Sequence, residues 1–526
     1  MAIVATNQNT THGFSRLPTE LCAGVVKSLS KVDQRSCLSV SRLFRDLARP
    51  LVFSRVIIRV GMWKATDDEG MFDDDVELME RRVRRNKEKL QYIALDAQFA
   101  RIVKAIHVHA HREWDFADLE EPQDKLEDNL DISLVVRALK ALPHLRSFRW
   151  HGISPALTPA VLDALAKTCG RTLVELSVAA MINDDKAPQY LTQFKKLQAL
   201  SLAGDMCNFP HYGNPEPESM VTACIQHVPL TVLRLSVLGD SVWDTPLRVL
   251  SGLYELSLQR PQSLDKLSVV FQHCSQLRTL NVLIDNVACK PQFIAALKAA
   301  PDALPHLTSF KFIACSRGAF NIDPDLFAAF LKDKKAMRRL DLTFYNPFKD
   351  IADYTRFLDM FASLPQLEVL GLVLKGEKFT REHLQLFDER LPLGLSALLL
   401  SWEFRSVVDI QKEDWIAMLK RRLSLAYLHV LDPRGSLDLC KLLLKDHPPA
   451  LQFVGYGSCL GTFERNFATG EAAYGPVWDE ETAGFRTVED FGCEDWEWLL
   501  RNHDWNSLHS LEPYDYFREC WRHIHC

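Results

Sequence analysis

The chain has 526 residues, 47% of them apolar and 25% charged, with a formal net charge of −6. Those proportions suit a globular protein with a large core, and so small a charge excludes a general attraction to nucleic acid or to an anionic membrane surface. No run approaches the roughly eighteen apolar residues that span a bilayer, the first eleven residues lack the basic start of a secretory signal, and thirteen cysteines include no C-x-x-C pair, so reduced thiols in the cytoplasm or nucleus are expected rather than a disulfide framework or zinc ribbon.

Residues 1–12 are polar and are expected to lack order. Residues 13–55 predict three short helices. Pro18 suits a helix start, where its missing N–H is no loss. Leu21, Val25 and Leu29 follow at i, i+4 and i+8 as one apolar stripe. Ser30 can cap a second helix with Asp33 in its first turn. Ser39 or Ser41 can begin a third, carrying Leu43, Phe44 and Leu47 until Pro50 ends it. Such a unit is too small for an independent core and must lean on neighbours or on a partner.

The stretch Leu17-Pro18-x-Glu20-Leu21, with Leu29, Asp33, Val40-Ser41-Arg42-x-Phe44-Arg45 and Arg49-Pro50-Leu51-x-Phe53, resembles an F-box in the form common in fungal proteins. The resemblance implies insertion into the Skp-type adaptor of a cullin-RING ubiquitin ligase. Carried over by position, the adaptor-binding residues would be Leu17, Pro18, Leu21, Val25, Leu29, Val40 and Phe44. Gln34 and Cys37 stand where that family usually has leucines, so the second helix offers less apolar surface.

Phe53, Val56 and Ile58 read as a first strand. An acidic stretch, residues 67–77, then precedes a basic run, Arg81 to Lys89, which reads as a solvated helix rather than a localisation signal. A second acidic stretch, residues 115–131, reads as an exposed insertion.

From there a phrase recurs: an apolar residue, two variable residues, an apolar residue, one variable residue, a third apolar residue. It runs from Leu145-Phe148-Trp150 through Leu173-Leu176-Val178, Leu197-Leu200-Leu202, Leu253-Leu256-Leu258 and Leu367-Leu370-Leu372 to Leu425-Leu428-Val430, eleven copies in all. Val103-Ile106-Val108 is an earlier copy, and Leu451-Phe453-Val454 reads as a degraded late one. Successive copies lie about 23 to 33 residues apart, with amphipathic stretches such as Ile132–Leu142, Pro159–Ala166, Asp325–Leu331 and Trp415–Leu423 between them. Period-two alternation marks each phrase as a short strand with one buried face. The region resembles the leucine-rich repeat family over roughly residues 100 to 456, although the family's asparagine after the third apolar position is mostly missing. The fold class expected is α/β: the three-helix unit, then an irregular leucine-rich-repeat-like solenoid over 56–456 with a parallel sheet inside and helices outside, then a cap over 457–526.

Residues between the buried leucines should face the open inner surface. Arg149, Glu175, Arg234, Glu255, Asn281, Lys311, Arg339, Asp341 and His429 are the candidate target-binding set. Mixed signs there suit a protein target better than nucleic acid. Beyond 456 the phrase stops. Gly455, Gly457 and Gly461 read as a glycine-rich turn. Trp478, Trp496, Trp498, Trp505 and Trp521 are expected to pack over the open end of the array. Cys520, His523, His525 and Cys526 lack the paired spacing of a zinc site. Neither a cofactor nor a catalytic constellation is expected. The reading is a non-catalytic, substrate-recognising adaptor of an SCF-type ubiquitin ligase, bound to a Skp-type adaptor and through it to cullin, and holding a protein target. The alternative is a repeat interaction scaffold without ligase association.

Overall fold

The computed structural model describes residues 17–29, 31–60, 73–109, 130–151, 155, 157–179, 187–203, 225, 228–236, 242–243, 245–284, 286–314, 324–344, 351–431, 439–457, 459–466, 469–476, 478 and 488–501. They group into two compact units, one from residues 17–176 and 187–196, the other from 177–179 and 197–501.

The first unit opens with helices α1 (Thr19–Ser28), α2 (Lys31–Val40) and α3 (Arg42–Val52). Ser41 caps α3, its hydroxyl accepting from the Phe44 amide at 3.2 Å. Pro50 does not end α3. The helix runs on to Val52, and the Phe53 amide still closes the last turn on the Arg49 carbonyl. The proline removes one intrahelical donor and crowds the carbonyl four residues back, a local cost that does not stop the helix. The core here is small: Val26, Cys37 and Ala48, with Leu29, Leu38, Phe44, Leu47 and Leu51 packed against it. Gln34, in place of a leucine, is itself buried and donates to the Leu29 carbonyl at 3.0 Å. It satisfies the carbonyl end of α1, a need that a leucine could not meet.

Strands β1 (Arg55–Arg59), β2 (Ala105–His109) and β3 (Ser147–His151) pair in parallel and in register, Val56 with Ile106 and Phe148. The basic run lies on the helix Asp73–Leu95, whose Leu90 and Ile93 are buried while Arg81, Arg84 and Arg85 are exposed. The acidic insertion falls outside the described residues except for its last two positions. Asp131 there caps helix Ile132–Lys140 by accepting from the Leu134 amide.

In the second unit, strands β5 (Ala199–Ala203), β6 (Val232–Ser236), β7 (Glu255–Gln259), β8 (Thr279–Ile284), β9 (Ser309–Ala314), β10 (Arg339–Phe344), β11 (Val369–Thr380), β12 (Ala397–Val408), β13 (Tyr427–Leu431) and β14 (Phe453–Tyr456) are neighbours in chain order, all parallel; β4 (Glu175–Ala179) is divided between the units. The second and third apolar residues of each phrase point to the core, where Leu200, Leu256, Phe310, Leu370 and Leu428 are fully buried. Helices such as Pro324–Leu331 and Lys412–Lys420 lie between successive strands in the chain. This is the leucine-rich-repeat arrangement, α/β with a parallel sheet and helices.

A main-chain ladder accompanies the leucines. At the starts of β8, β9 and β10 two successive amides donate to one carbonyl of the preceding repeat: Arg278 and Thr279 to Tyr254, Thr308 and Ser309 to Arg278, Arg338 and Arg339 to Thr308. Buried peptide groups are thereby paired without an asparagine.

Two expectations change at the end of the array. The last copy is not degraded: Leu451, Val454 and Tyr456 carry the regular spacing and are buried, and Phe453 lies on the other face of the strand. The glycines do not form one turn. Gly457 alone turns, at φ 54°, while Gly455 and Gly461 sit in the strands of an antiparallel hairpin, β14 with β15 (Cys459–Arg465), to which β16 (Ala472–Tyr474) adds. The antiparallel strands cover the edge that β14 would otherwise expose.

Candidate functional site

On the helical unit, the inward stripe of α1 is Cys22, Val26 and Leu29, at i, i+4 and i+7. That rotation leaves Leu21 (56% exposed) and Val25 (43%) in solvent. Leu17, Pro18 and Val40 are exposed as well. Leu29 and Phe44, expected beside them, pack on the small core instead. Leu43 of α3 is exposed in their place. The spacing Phe44, Ala48, Leu51 already marked the inward side of α3, and Leu43 falls just off it.

The inner sheet face of the first unit carries Arg149, bound through Nε and Nη2 to Glu175 at 3.1 and 2.7 Å. Beside Arg149 in register stands His107, followed by His109. Both are buried, and burial together with Arg55, Arg149 and His151 pushes each imidazole down to about 2. The second unit repeats the arginine–glutamate device, Arg234 Nε and Nη2 meeting Glu255 at 2.5 and 3.1 Å. Those four residues remain partly accessible.

The other five expected target contacts are not on an open face. Asn281, Lys311, Arg339, Asp341 and His429 are all buried. Helix Glu494–Leu500 lies across Asn281, Lys311, Arg339 and Asp341, so Trp496 and Trp498 cover the inner face, whereas Trp478 pairs with Leu460 of β15 at the end of the array. Trp505 and Trp521 are outside the described residues.

The contacts divide into a polar and an apolar half. In the centre row Asn281, Lys311, Asp341 and Gly371 are register neighbours on β8 to β11. The Lys311 ammonium meets Asp341 Oδ2 at 2.9 Å and donates to the carbonyls of Trp498, Leu499 and Arg501 at 2.7, 3.0 and 2.6 Å. A cation thus sits at the carbonyl end of the helix, where the macrodipole favours it. Burial lowers the Lys311 pKa and the Asp341 carboxylate opposes that shift. The Trp498 indole N–H donates to Asn281 Oδ1 at 3.2 Å. Arg338 grips Asp495 with two bonds of 2.7 Å, and Arg339 reaches Asp495 at 2.7 Å and Glu494 at 3.0 Å. The bond to Asp495 holds the Arg338 guanidinium above its ordinary range. Further along, Trp496, Leu499 and Leu500 bury against Val369, Ala397, Leu399, Tyr427 and Phe453, and Trp496 stacks on Tyr427 and Phe453 at 5.9 Å. His429 serves this floor, its ring bonded to the Tyr427 hydroxyl at 3.0 Å and the Gly457 carbonyl at 2.8 Å.

This is the chemistry of a groove that holds a short acidic, aromatic helix. Among the described residues no group of three or more His, Cys, Asp or Glu is placed to hold a metal ion. The Cys520, His523, His525 and Cys526 group lies outside them.

No protein-family profile matches the chain, and no curated protein matches it. Solved structures do. The leucine-rich repeat-containing protein LegL7 from Legionella pneumophila matches at 16% identity and TM-score 0.33, over 60% of this chain and 94% of its own. Rad7, in a yeast complex of Rad7 and Elc1, matches at 13% identity and TM-score 0.38, over 75% and 95%. A TLR13–ssRNA13 complex matches at 12% identity and TM-score 0.26, and the chain spans 63% of that protein.

Proposed function

We propose that this chain is a non-catalytic adaptor of an SCF-type ubiquitin ligase, held by a Skp-type adaptor at its N-terminal helices and presenting a protein target on its repeats. The observation that carries the reading is the exposure of Leu17, Leu21, Val25, Val40 and Leu43 beside a small buried apolar cluster of Val26, Cys37 and Ala48. A monomer gains nothing from keeping leucines and valines in water at this density, whereas a partner that covers them gains apolar burial. The mechanism is proximity: the target's lysines are raised to a high effective concentration beside a charged ubiquitin-conjugating enzyme.

Reconstitution tests this. Full-length chain, purified Skp-type adaptor and cullin are mixed, and cullin capture is measured with and without the Skp-type adaptor. Cullin retained only when the Skp-type adaptor is present supports the reading. No capture by well-folded chain in either mixture leaves the leucine-rich-repeat interaction scaffold, which the repeat fold supports by itself.

A further inference from the structure

The chain's own C-terminal helix occupies the groove where a target would be expected. Its contacts differ from those of a permanent structural brace. Over β8 to β10 the groove floor is Asn281, Lys311, Arg339 and Asp341, all buried and polar or charged. A fixed brace is held at least as well by apolar side chains, because desolvating a lysine and an aspartate offsets much of their attraction. What a polar floor adds is discrimination: it rejects any occupant that fails to return its hydrogen bonds. Lys311 reads main-chain carbonyls, so it selects a helix that ends over it. Arg338 and Arg339 read one carboxylate pair, Asn281 reads an indole N–H, and the apolar half takes an indole and two leucines.

We infer that this groove is the recognition site for a protein segment of the same chemistry, and that residues 494–501 are its internal occupant. The segment is a short helix opening on two adjacent acidic residues, carrying a tryptophan and leucines on one face, with end carbonyls that accept from Lys311. Glu494-Asp495-Trp496-Glu497-Trp498-Leu499-Leu500 has this form. The inference deepens the proposed adaptor reading by naming where and what the repeats hold. The groove sets a threshold, since a target binds only by displacing the internal copy, and the apparent affinity is reduced by the fraction of chains in which the groove is open.

Two measurements on the full chain test it. The first is hydrogen exchange of the wild type. The amides of residues 496–500 should exchange through a local opening, at least tenfold faster than those of β9 and β12. Exchange of helix and strands at one common rate would make the helix part of the global fold and overturn the inference. The second uses a fluorescent peptide of residues 488–501 as the probe. A variant with Asp495→Lys and Trp498→Ala in the chain should bind the peptide at least tenfold more tightly than wild type does, and adding Lys311→Met should abolish that gain. Equal binding by wild type and a folded variant, or a gain insensitive to Lys311→Met, would overturn it. Cullin capture through the Skp-type adaptor is measured on the same preparations. It reports on the N-terminal helices alone, so loss of one result does not depend on the other.

Discussion

Lys311 and Asp341 face each other from β9 and β10 at 2.9 Å, with side chains 1% and 0% exposed. Their pairing is also the hinge of the tail contact, because the same ammonium holds three carbonyls of the C-terminal helix. Lys311→Met removes the ammonium that Asp341 meets across the strands, and a loss of about 3–5 kcal/mol is expected in chemical denaturation. The double change Lys311→Met, Asp341→Leu should recover part of it, since the carbonyls of Trp498, Leu499 and Arg501 still lose their donor. A double variant as unstable as the single one would show that the pair is not the source of the loss.

Gly371 makes room for that carboxylate. A Cβ at Gly371 would stand 2.5 Å from Asp341 Oδ1, so Gly371→Ala should destabilise by about 1–3 kcal/mol through overpacking. In an Asp341→Ala background the same change should be nearly neutral. Equal costs in both backgrounds would place the effect elsewhere. Gly455 stands in the same relation to His429, whose Cγ a Cβ would approach at 2.5 Å. In each case a polar side chain of the inner face leans over a glycine on the next strand.

Sequence carried the array further than it carried the site. The leucine phrase marked the strands because each copy buries its own residues next to its neighbours', a local rule repeated. One copy was misread because Phe453 is apolar for a different reason: it lines the groove under Trp496. The mid-strand glycines Gly371 and Gly455 were the available sign of crowding on the inner face. Covering of that face by residues 494–500 had no local sign, since the contact spans about 190 residues between Lys311 and Arg501. On α1 the i, i+4, i+8 stripe was an approximation. At 3.6 residues per turn, Leu29 falls with Cys22 and Val26 at i+7.

Gln34 gives a test of the helical unit. Gln34→Leu restores apolar bulk but leaves the Leu29 carbonyl without the amide that now reaches it at 3.0 Å. A loss of about 1–3 kcal/mol is expected, read as a lower urea midpoint for a probe placed in α1. An unchanged or higher midpoint would show that the carbonyl is satisfied by water.

His107 and His109 predict an acid-sensitive first unit. Their folded values, pushed down to about 2, lie below the ordinary imidazole value, so the unfolded chain takes up protons first as pH falls. Their contribution is constant above about pH 6.5 and declines below it, by at most about 1.4 kcal/mol per pH unit for each histidine. The groups that keep them neutral besides burial are Arg55, Arg149 and His151 for both, with His109 for His107 and Arg59 for His109. A His107→Asn, His109→Asn variant should show a flatter stability profile between pH 6.5 and 4.5 than wild type. Parallel profiles would contradict the assignment.

A calorimetric titration of full-length chain with purified Skp-type adaptor probes the exposed face of the N-terminal helices. Leu21→Asp with Val25→Asp should leave stability within about 0.5 kcal/mol of wild type, because both side chains already lie in water. The predicted result is one-to-one binding by the wild type and at least a hundredfold loss in that variant, with an unchanged circular dichroism spectrum. Equal affinity in the two, or no binding by well-folded wild type, would contradict the adaptor reading.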